Sequence, residues 1–444
     1  MDELDRWIDY NEDNLLKDIS SLVEIPSVSK KGPENPPYGK ECAKALDKML
    51  ALGIQYGFSA DNCDGYCGSI SFGEGTRTIG IWGHLDVVEA GKEWIYPSFT
   101  CTQKGDFMIG RGVQDNKGPL VAVLYAMRYM KEKKNLKSKI ILIFGCNEEN
   151  GMDDIQYYMR HRKIPDLSFV ADCGFPVCHG EKGICHLLIE SKKLQGTVLS
   201  IEGGDALNIV PAKARAIVKV SSGQEQLEIE ASGIAGHAAF PENTQNAIGL
   251  LAKKLKALST EATEQMAMEF LEKACSDGYG RGLKIACEDA DSGTLTCNLG
   301  LLTMEKGVIK AELDIRYPVT IPVEAIIEKL KETLKKYPYT IIGIKDNPPY
   351  YIEKNHPLVH NLMEAYYEET GDTREAYLMG GGTYARKIPN AVGFGPGLPM
   401  NLNELDLPLG HGGCHSADEA QSVTNLKKAI RIYVKAIEKL NNSK

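Results

Sequence analysis

The chain has 444 residues, 43% hydrophobic and 25% charged, with a formal net charge of -9. That length outgrows one ordinary core and predicts two or three domains. Acidic and basic residues are mixed along the chain with a negative excess, which excludes nucleic acid as the main partner because phosphate binding needs a basic surface.

No stretch approaches the ~20 apolar residues of a membrane span, so no membrane partner is expected. The opening MDELDR is charged and has no signal-type apolar run, and the 12 cysteines follow no disulfide framework. Both observations predict a cytoplasmic protein with reduced thiols.

Residues 4 to 23 carry Leu4, Trp7, Ile8, Leu15, Leu16, Ile19, Leu22 and Val23 at helical spacing. Apolar runs then alternate with helical patterns. TIGIWGH ends at His84, a helix runs through Leu120, Leu124 and Met127, KIILIFGC ends at Cys146, a helix covers about 152 to 162, and LSFVAD ends at Asp172. Such alternation predicts an α/β domain with a mostly parallel sheet and helices on both faces. Ligands of such sheets bind beyond the carboxyl ends of the strands, where His84, Glu148, Glu149 and Asp172 fall.

After about residue 183 the pattern changes to alternating strands, HLLIESKKL, KARAIVKVSS, QLEIEAS and VIKAELDIRYPV, with helices near Ala247–Leu255 and Val323–Leu334. The expected organisation is a catalytic domain in two parts, 1–183 and 374–444, around an inserted α+β domain, 184–373, made of two halves. The last part ends in a long helix through Val423, Leu426, Ile430, Tyr433 and Ile437.

Four segments carry chemistry. In Gly83-His84-Leu85-Asp86, residues two apart point to one side of an extended chain, so Asp86 can reach the imidazole of His84; a buried structural histidine fits equally well. Asp115, in GRGVQDNKG, sits in a tight turn before a helix, where it could also be a cap. Glu148 and Glu149 are adjacent acids after a buried strand, costly to place together unless a cation is near. One can then be a ligand and the other a base. In GHGGCHSADE the favoured ligand is His415 over His411, next to a helix expected to start at Ser416. Cys146 and Cys173 follow two strands at the same end and would come within disulfide reach if those strands were neighbours.

The order His-x-Asp, Asp-Asn-Lys-Gly, Glu-Glu, Asp, His-Ser-Ala-Asp-Glu resembles the metallopeptidase family of aminoacylases, glutamate carboxypeptidases, succinyl-diaminopimelate desuccinylases and dipeptidases. Within it the chain looks most like the peptidase V branch, described as carnosinase-like or Xaa-His dipeptidases, almost end to end. EWIYPSFT and Gly380-Gly381-Gly382-Thr383-Tyr384-Ala385-Arg386 share that likeness.

The resemblance implies that Asp115 bridges two divalent metals, with His84 and Asp172 completing one site and Glu149 and His415 the other. It makes Glu148 the general base and later the acid for a metal-bridging water, and Asp86 the residue that orients His84. It also implies a cis peptide bond between Asp115 and Asn116. The inserted domain acts as a lid, with His237 stabilising the transition state; Gly236 stands where the family usually has Ala. Asn208 and Arg316 resemble the residues that hold the substrate's C-terminal carboxylate, for which an Arg fork is suited, and Gly382 and Thr383 belong to the substrate loop.

The expected activity is hydrolysis of unblocked dipeptides. Zinc is the expected metal and manganese the alternative. A deacylase of N-acyl amino acids is the rival within the family. An inactive binding protein and a cysteine hydrolase built on Cys414 are rivals outside it. The large lid, with room for two halves, predicts a monomer.

Overall fold

The strand Arg77–His84 is buried along nearly its whole length, as expected of a strand with parallel neighbours and helices on both faces. It runs parallel to Ser138–Gly145 on one side and to Leu167–Val170 on the other, and Leu167–Val170 runs parallel to Ala391–Phe394. Antiparallel strands extend both edges. The hairpin Ser59–Cys63 and Cys67–Phe72 pairs with Ser138–Gly145, and Val177–Glu181 pairs with Ala391–Phe394. The parallel sheet read from the sequence is therefore the centre of a mixed one. These coordinates are a computed structural model describing residues 2–32, 36–133, 136–220 and 225–443.

Helices cover both faces. Ile79 and Ile81 join one core with the helices Glu12–Val23, Lys117–Lys133, Pro357–Thr370 and Val423–Asn442. Trp82 points the other way and packs edge-on against Tyr158 of the helix Asp153–His161, ring centroids 5.3 Å apart. Lys117–Lys133 is buried on all sides through Met127, the pattern of a helix sandwiched in a core rather than lying on a surface. The apolar stretch from residue 4 to 23 is two helices, Glu3–Tyr10 and Glu12–Val23, broken at Asn11.

The chain divides into two compact units. The first is Met1–His179, Ile352–Tyr377 and Thr383–Lys444; the second is Gly180–Tyr351 and Leu378–Gly382. Residues 352–373, expected in the inserted domain 184–373, thus belong to the first unit, because the helix Pro357–Thr370 buries Leu358, Leu362 and Tyr366 in that unit's core. Nor is the inserted unit built of two separate halves. It holds one seven-stranded antiparallel sheet, in the order Gln226–Ser232, Lys213–Lys219, Val198–Gly203, Thr296–Glu305, Val308–Tyr317, Gly183–Ser191, Tyr339–Asn347. The helices Ala247–Leu258, Ala262–Ala274 and Val323–Leu334 share one core with alternate residues of its strands.

Sheet order also settles the cysteine pair. Arg77–His84 lies between the strands that precede Cys146 and Cys173, so those strands are two spacings, ~10 Å, apart. That exceeds the ~7 Å reach of a disulfide, and neither cysteine is in one.

Candidate active site

All of the expected metal ligands lie in the first unit and meet at the carboxyl end of its parallel strands. His84 is the last residue of its strand, Glu148 and Glu149 follow Ser138–Gly145 within a turn, and Asp172 follows Leu167–Val170. Asp115 precedes the helix that begins at Lys117, and the Asp115–Asn116 peptide bond is cis, as the resemblance implies. His415 arrives in a turn at φ +61, flanked by Gly410 at φ +90 and Gly412 at φ +88, backbone values that exclude a helix there. The helix expected at Ser416 begins at Val423.

Asp115 sits between two imidazoles. Its Oδ1 is 2.9 Å from His84 Nε2 and its Oδ2 is 3.1 Å from His415 Nε2. Each imidazole meets one further carboxylate: Asp172 Oδ2 lies 3.5 Å from His84 Nε2, and Glu149 Oε1 lies 3.0 Å from His415 Nε2. Ligand atoms of His84, Asp115 and Glu149, and separately of His84, Glu148 and Asp172, fall within 4.8 Å of one another, spacings suited to ligands sharing one ion.

Asp86 does more than the sequence predicts. The nearest acceptor to His84 Nδ1 is the Asp86 backbone carbonyl at 2.9 Å, with the carboxylate at 3.4 Å. A carbonyl can only accept, so Nδ1 carries the proton and Nε2 faces Asp115. The Asp86 carboxylate instead accepts the backbone N–H groups of Glu148 and Glu149, both at 3.1 Å.

The electrostatics favour cations. Asp86, Asp115, Glu148, Glu149 and Asp172 gather around two imidazoles with little access to water, a costly arrangement without added positive charge. Burial lifts the Glu148 carboxyl well above the usual range, and the charges of Asp172 and Glu149 add to it. Burial pushes Glu149 up to about 7 and Asp172 up to about 6. Burial alone would lower His415, but its hydrogen bonds to Asp115 and Glu149 override that and hold it at about 11. One Glu148 oxygen, Oε1, is buried with no hydrogen-bond partner among the described residues. The donor set, two imidazoles and a surplus of carboxylates, fits divalent metal ions.

Several residues given no part in metal binding by the sequence also shape this site. Asn116 donates to Asp172 Oδ1 at 2.9 Å and accepts the N–H of His84 at 3.2 Å. Glu419 Oε1 accepts the N–H groups of Gly112, Gln114 and Asp115, at 3.0, 2.9 and 3.1 Å, while its Oε2 pairs with Arg111. Asp418 takes the Nδ1 of His411 at 2.6 Å, which keeps His411 away from the ligand cluster. Cys414 turns its thiol to Asp115 Oδ2 at 3.4 Å. Although the residue is exposed, desolvation of its sulfur and the charges of Asp115 and Glu419 push the thiol far up, the reverse of what a cysteine nucleophile requires. A cavity of about 210 Å³ opens beside Asp115 and Asp172, lined also by Cys173, Pro396 and Cys414.

The remaining expected residues lie mostly in the second unit. His237 and Asn208 are neighbours there: Ile209 pairs with His237, and the Ala238 N–H donates to the Asn208 carbonyl at 2.9 Å. His237 is exposed, and its Nδ1 accepts the N–H of Ala239 at 3.1 Å. Arg316 is buried, and the edge of the fork expected to hold a carboxylate already holds Asp314, Nε to Oδ1 and Nη2 to Oδ2 both at 2.7 Å. Its Nη1 donates to the Gly380 carbonyl at 3.1 Å. Thr383, in the first unit, is buried, and its hydroxyl oxygen caps the short turn Tyr384–Lys387 by accepting the N–H of Ala385.

Known proteins resemble this chain nearly end to end. A protein of Bacillus subtilis (strain 168) named "Putative dipeptidase YtjP" is 29% identical over 463 residues, 97% of this chain and 97% of its own. A "Putative dipeptidase" of Staphylococcus epidermidis is 30% identical over 462 residues, covering 96% of this chain and 97% of its own. Among solved structures, human carnosine dipeptidase 1 shares the fold, with a TM-score of 0.64 at 13% identity over 99% of this chain and 98% of that one. The model of peptidase family M20/M25/M40 matches residues 80–439, a span that takes in His84, Asp115, the Glu148–Glu149 pair, Asp172 and His415, and the chain belongs to that family of peptidases.

Proposed function

We propose that the chain is a dipeptidase that hydrolyses unblocked dipeptides with two divalent metal ions, zinc in preference to manganese, held by His84, Asp115, Glu149, Asp172 and His415. The observation that carries this reading is Asp115, whose two oxygens face two different imidazoles, each with its own second carboxylate. The dipeptidase names of the relatives support the substrate class. Twelve cysteines without a disulfide among them fit a cytoplasmic setting.

When bound, the ions would offset the clustered carboxylates, acidify a water and polarise the scissile carbonyl. Glu148 supplies the proton traffic. Its carboxyl, lifted by burial, has one oxygen with no partner among the described residues, so it can take a proton from the attacking water and return it to the leaving amine. Asp86 holds the backbone of Glu148 and Glu149 and fixes the tautomer of His84 through its carbonyl. His237, Asn208, Arg316, Gly382 and Thr383 serve the substrate in this reading. His237 carries the transition-state charge, and Arg316, whose Nε and Nη2 hold Asp314 and whose Nη1 donates to the Gly380 carbonyl, has only its remaining Nη N–H groups to give a carboxylate.

Glu148→Ala tests the reading. With metal content equal to wild type, turnover of a dipeptide falls by ~10²–10⁴. Near-normal turnover in the metal-replete variant contradicts the base assignment.

A further inference from the structure

The turn that carries Glu148 is held from two sides. The N–H groups of Glu148 and Glu149 go to Asp86. Those of the two preceding residues, Cys146 and Asn147, go to Asp154 Oδ2, each at 2.7 Å. Asp154 is fully buried, and its Oδ1 accepts the N–H of Ile155 at 2.7 Å. The same Oδ2 takes one more donor, the hydroxyl of Tyr384 at 2.5 Å.

Tyr384 is also fully buried and comes from a distant part of the first unit. It opens the short turn Tyr384–Lys387 directly after Thr383, and its ring stands edge-on to His84 with centroids 6.4 Å apart. The pair passes close over Gly145, where a Cβ would come within 2.1 Å of both Asp154 Oδ2 and the Tyr384 hydroxyl. Only glycine at 145 leaves room for this contact.

We propose that Tyr384 and Asp154 are positioning residues that set the aim of Glu148. The proposal rests on Glu148 being the base. Neither side chain needs to touch the substrate. Their work is to leave the Cys146–Glu149 backbone one conformation, so that the carboxyl of Glu148 points where the proton moves. Losing the Tyr384 hydroxyl frees one lobe of the Asp154 carboxylate and loosens the turn without removing any ligand.

The test compares Tyr384→Phe, Asp154→Asn, the double variant and Glu148→Ala, each with metal content and thermal unfolding measured alongside steady-state kinetics. Tyr384→Phe and Asp154→Asn each lower kcat about 10–100-fold. KM stays within about twofold of wild type, and bound metal is unchanged. The double variant is no slower than the worse single one, since both act through one contact. Tyr384→Phe removes only a hydroxyl and keeps the ring, so it reports even if Asp154→Asn folds poorly. A lower melting temperature with wild-type kcat in the folded fraction would mean a purely structural role and overturn the proposal. If Glu148→Ala is inactive while both variants keep wild-type kcat, this inference fails and the base assignment stands. If Glu148→Ala keeps its activity, both fall together.

Discussion

Glu419 shows how much of the site is decided by residues that touch no substrate. Three backbone N–H groups of the Asp115 loop converge on its Oε1, and Arg111 is paired with its Oε2 deep inside the protein. Glu419→Ala leaves Arg111 buried without its partner, so stability falls by ~3–5 kcal/mol, measurable by chemical denaturation. A loss under ~1 kcal/mol would show that the loop holds without it. Asp86→Ala strips two buried N–H groups of their acceptor but spares the carbonyl that faces His84. Metal affinity or activity therefore drops by ~10–100-fold, and titration of the apoprotein with zinc checks it; unchanged affinity and unchanged activity together contradict the role.

The ligands themselves were legible because each stands at a strand end or a turn with a distinctive neighbour. Glu419 and Asp154 were not. Their importance comes from backbone groups far away in sequence, and no spacing in a single chain encodes such a meeting. Asp86 was half legible: alternation placed it beside His84, but its carboxylate turned to a turn 62 residues away.

At the scale of elements, the ends of the first unit are tied by charge. Arg431, on the C-terminal helix Val423–Asn442, donates to Asp2 at 2.9 and 3.1 Å, to Asp5 at 2.6 Å and to Glu369. The hydrogen bond from Arg431 is the largest of the influences that hold the Asp2 carboxyl far below its ordinary value of 3.8. A carboxyl depressed on folding stabilises the fold above its unfolded pKa and loses that contribution as pH falls through the folded one. Arg431→Gln should therefore cost about 1 kcal/mol near neutral pH, as solvent screening limits such pairs. The gap between variant and wild type should narrow in acid below pH 4, and a gap that widens there would contradict the tie.

Periodicity identified the parallel strands and the C-terminal helix well, since each is apolar in a regular way. It missed how the inserted unit is assembled. Alternating strands reveal that a sheet exists but not which strand lies beside which. Gly183–Ser191 finds its neighbours in Val308–Tyr317 and Tyr339–Asn347, so the two supposed halves are one sheet. The helix Pro357–Thr370 joined the first unit because of what its apolar face meets, which its own sequence does not state.

For the whole molecule, we propose that one chain makes a complete enzyme. The inserted unit holds a single seven-stranded sheet and not two halves, but its length still favours a self-sufficient protein. Mixing an inactive His237→Ala chain with an inactive Glu148→Ala chain should restore no activity, and substantial recovery would show that the site is shared between subunits.

A metal-dependent dipeptidase built on Asp115 and its two imidazoles depends on its ions for every turnover. This is tested most directly by stripping the protein with a chelator, restoring zinc or manganese, and assaying dipeptides, tripeptides and N-acyl amino acids side by side. The stripped protein should show no turnover, recovery should saturate at two ions per chain, and dipeptides should be the preferred substrates. Full activity without metal, saturation at one ion, or faster cleavage of N-acyl amino acids than of dipeptides would contradict it.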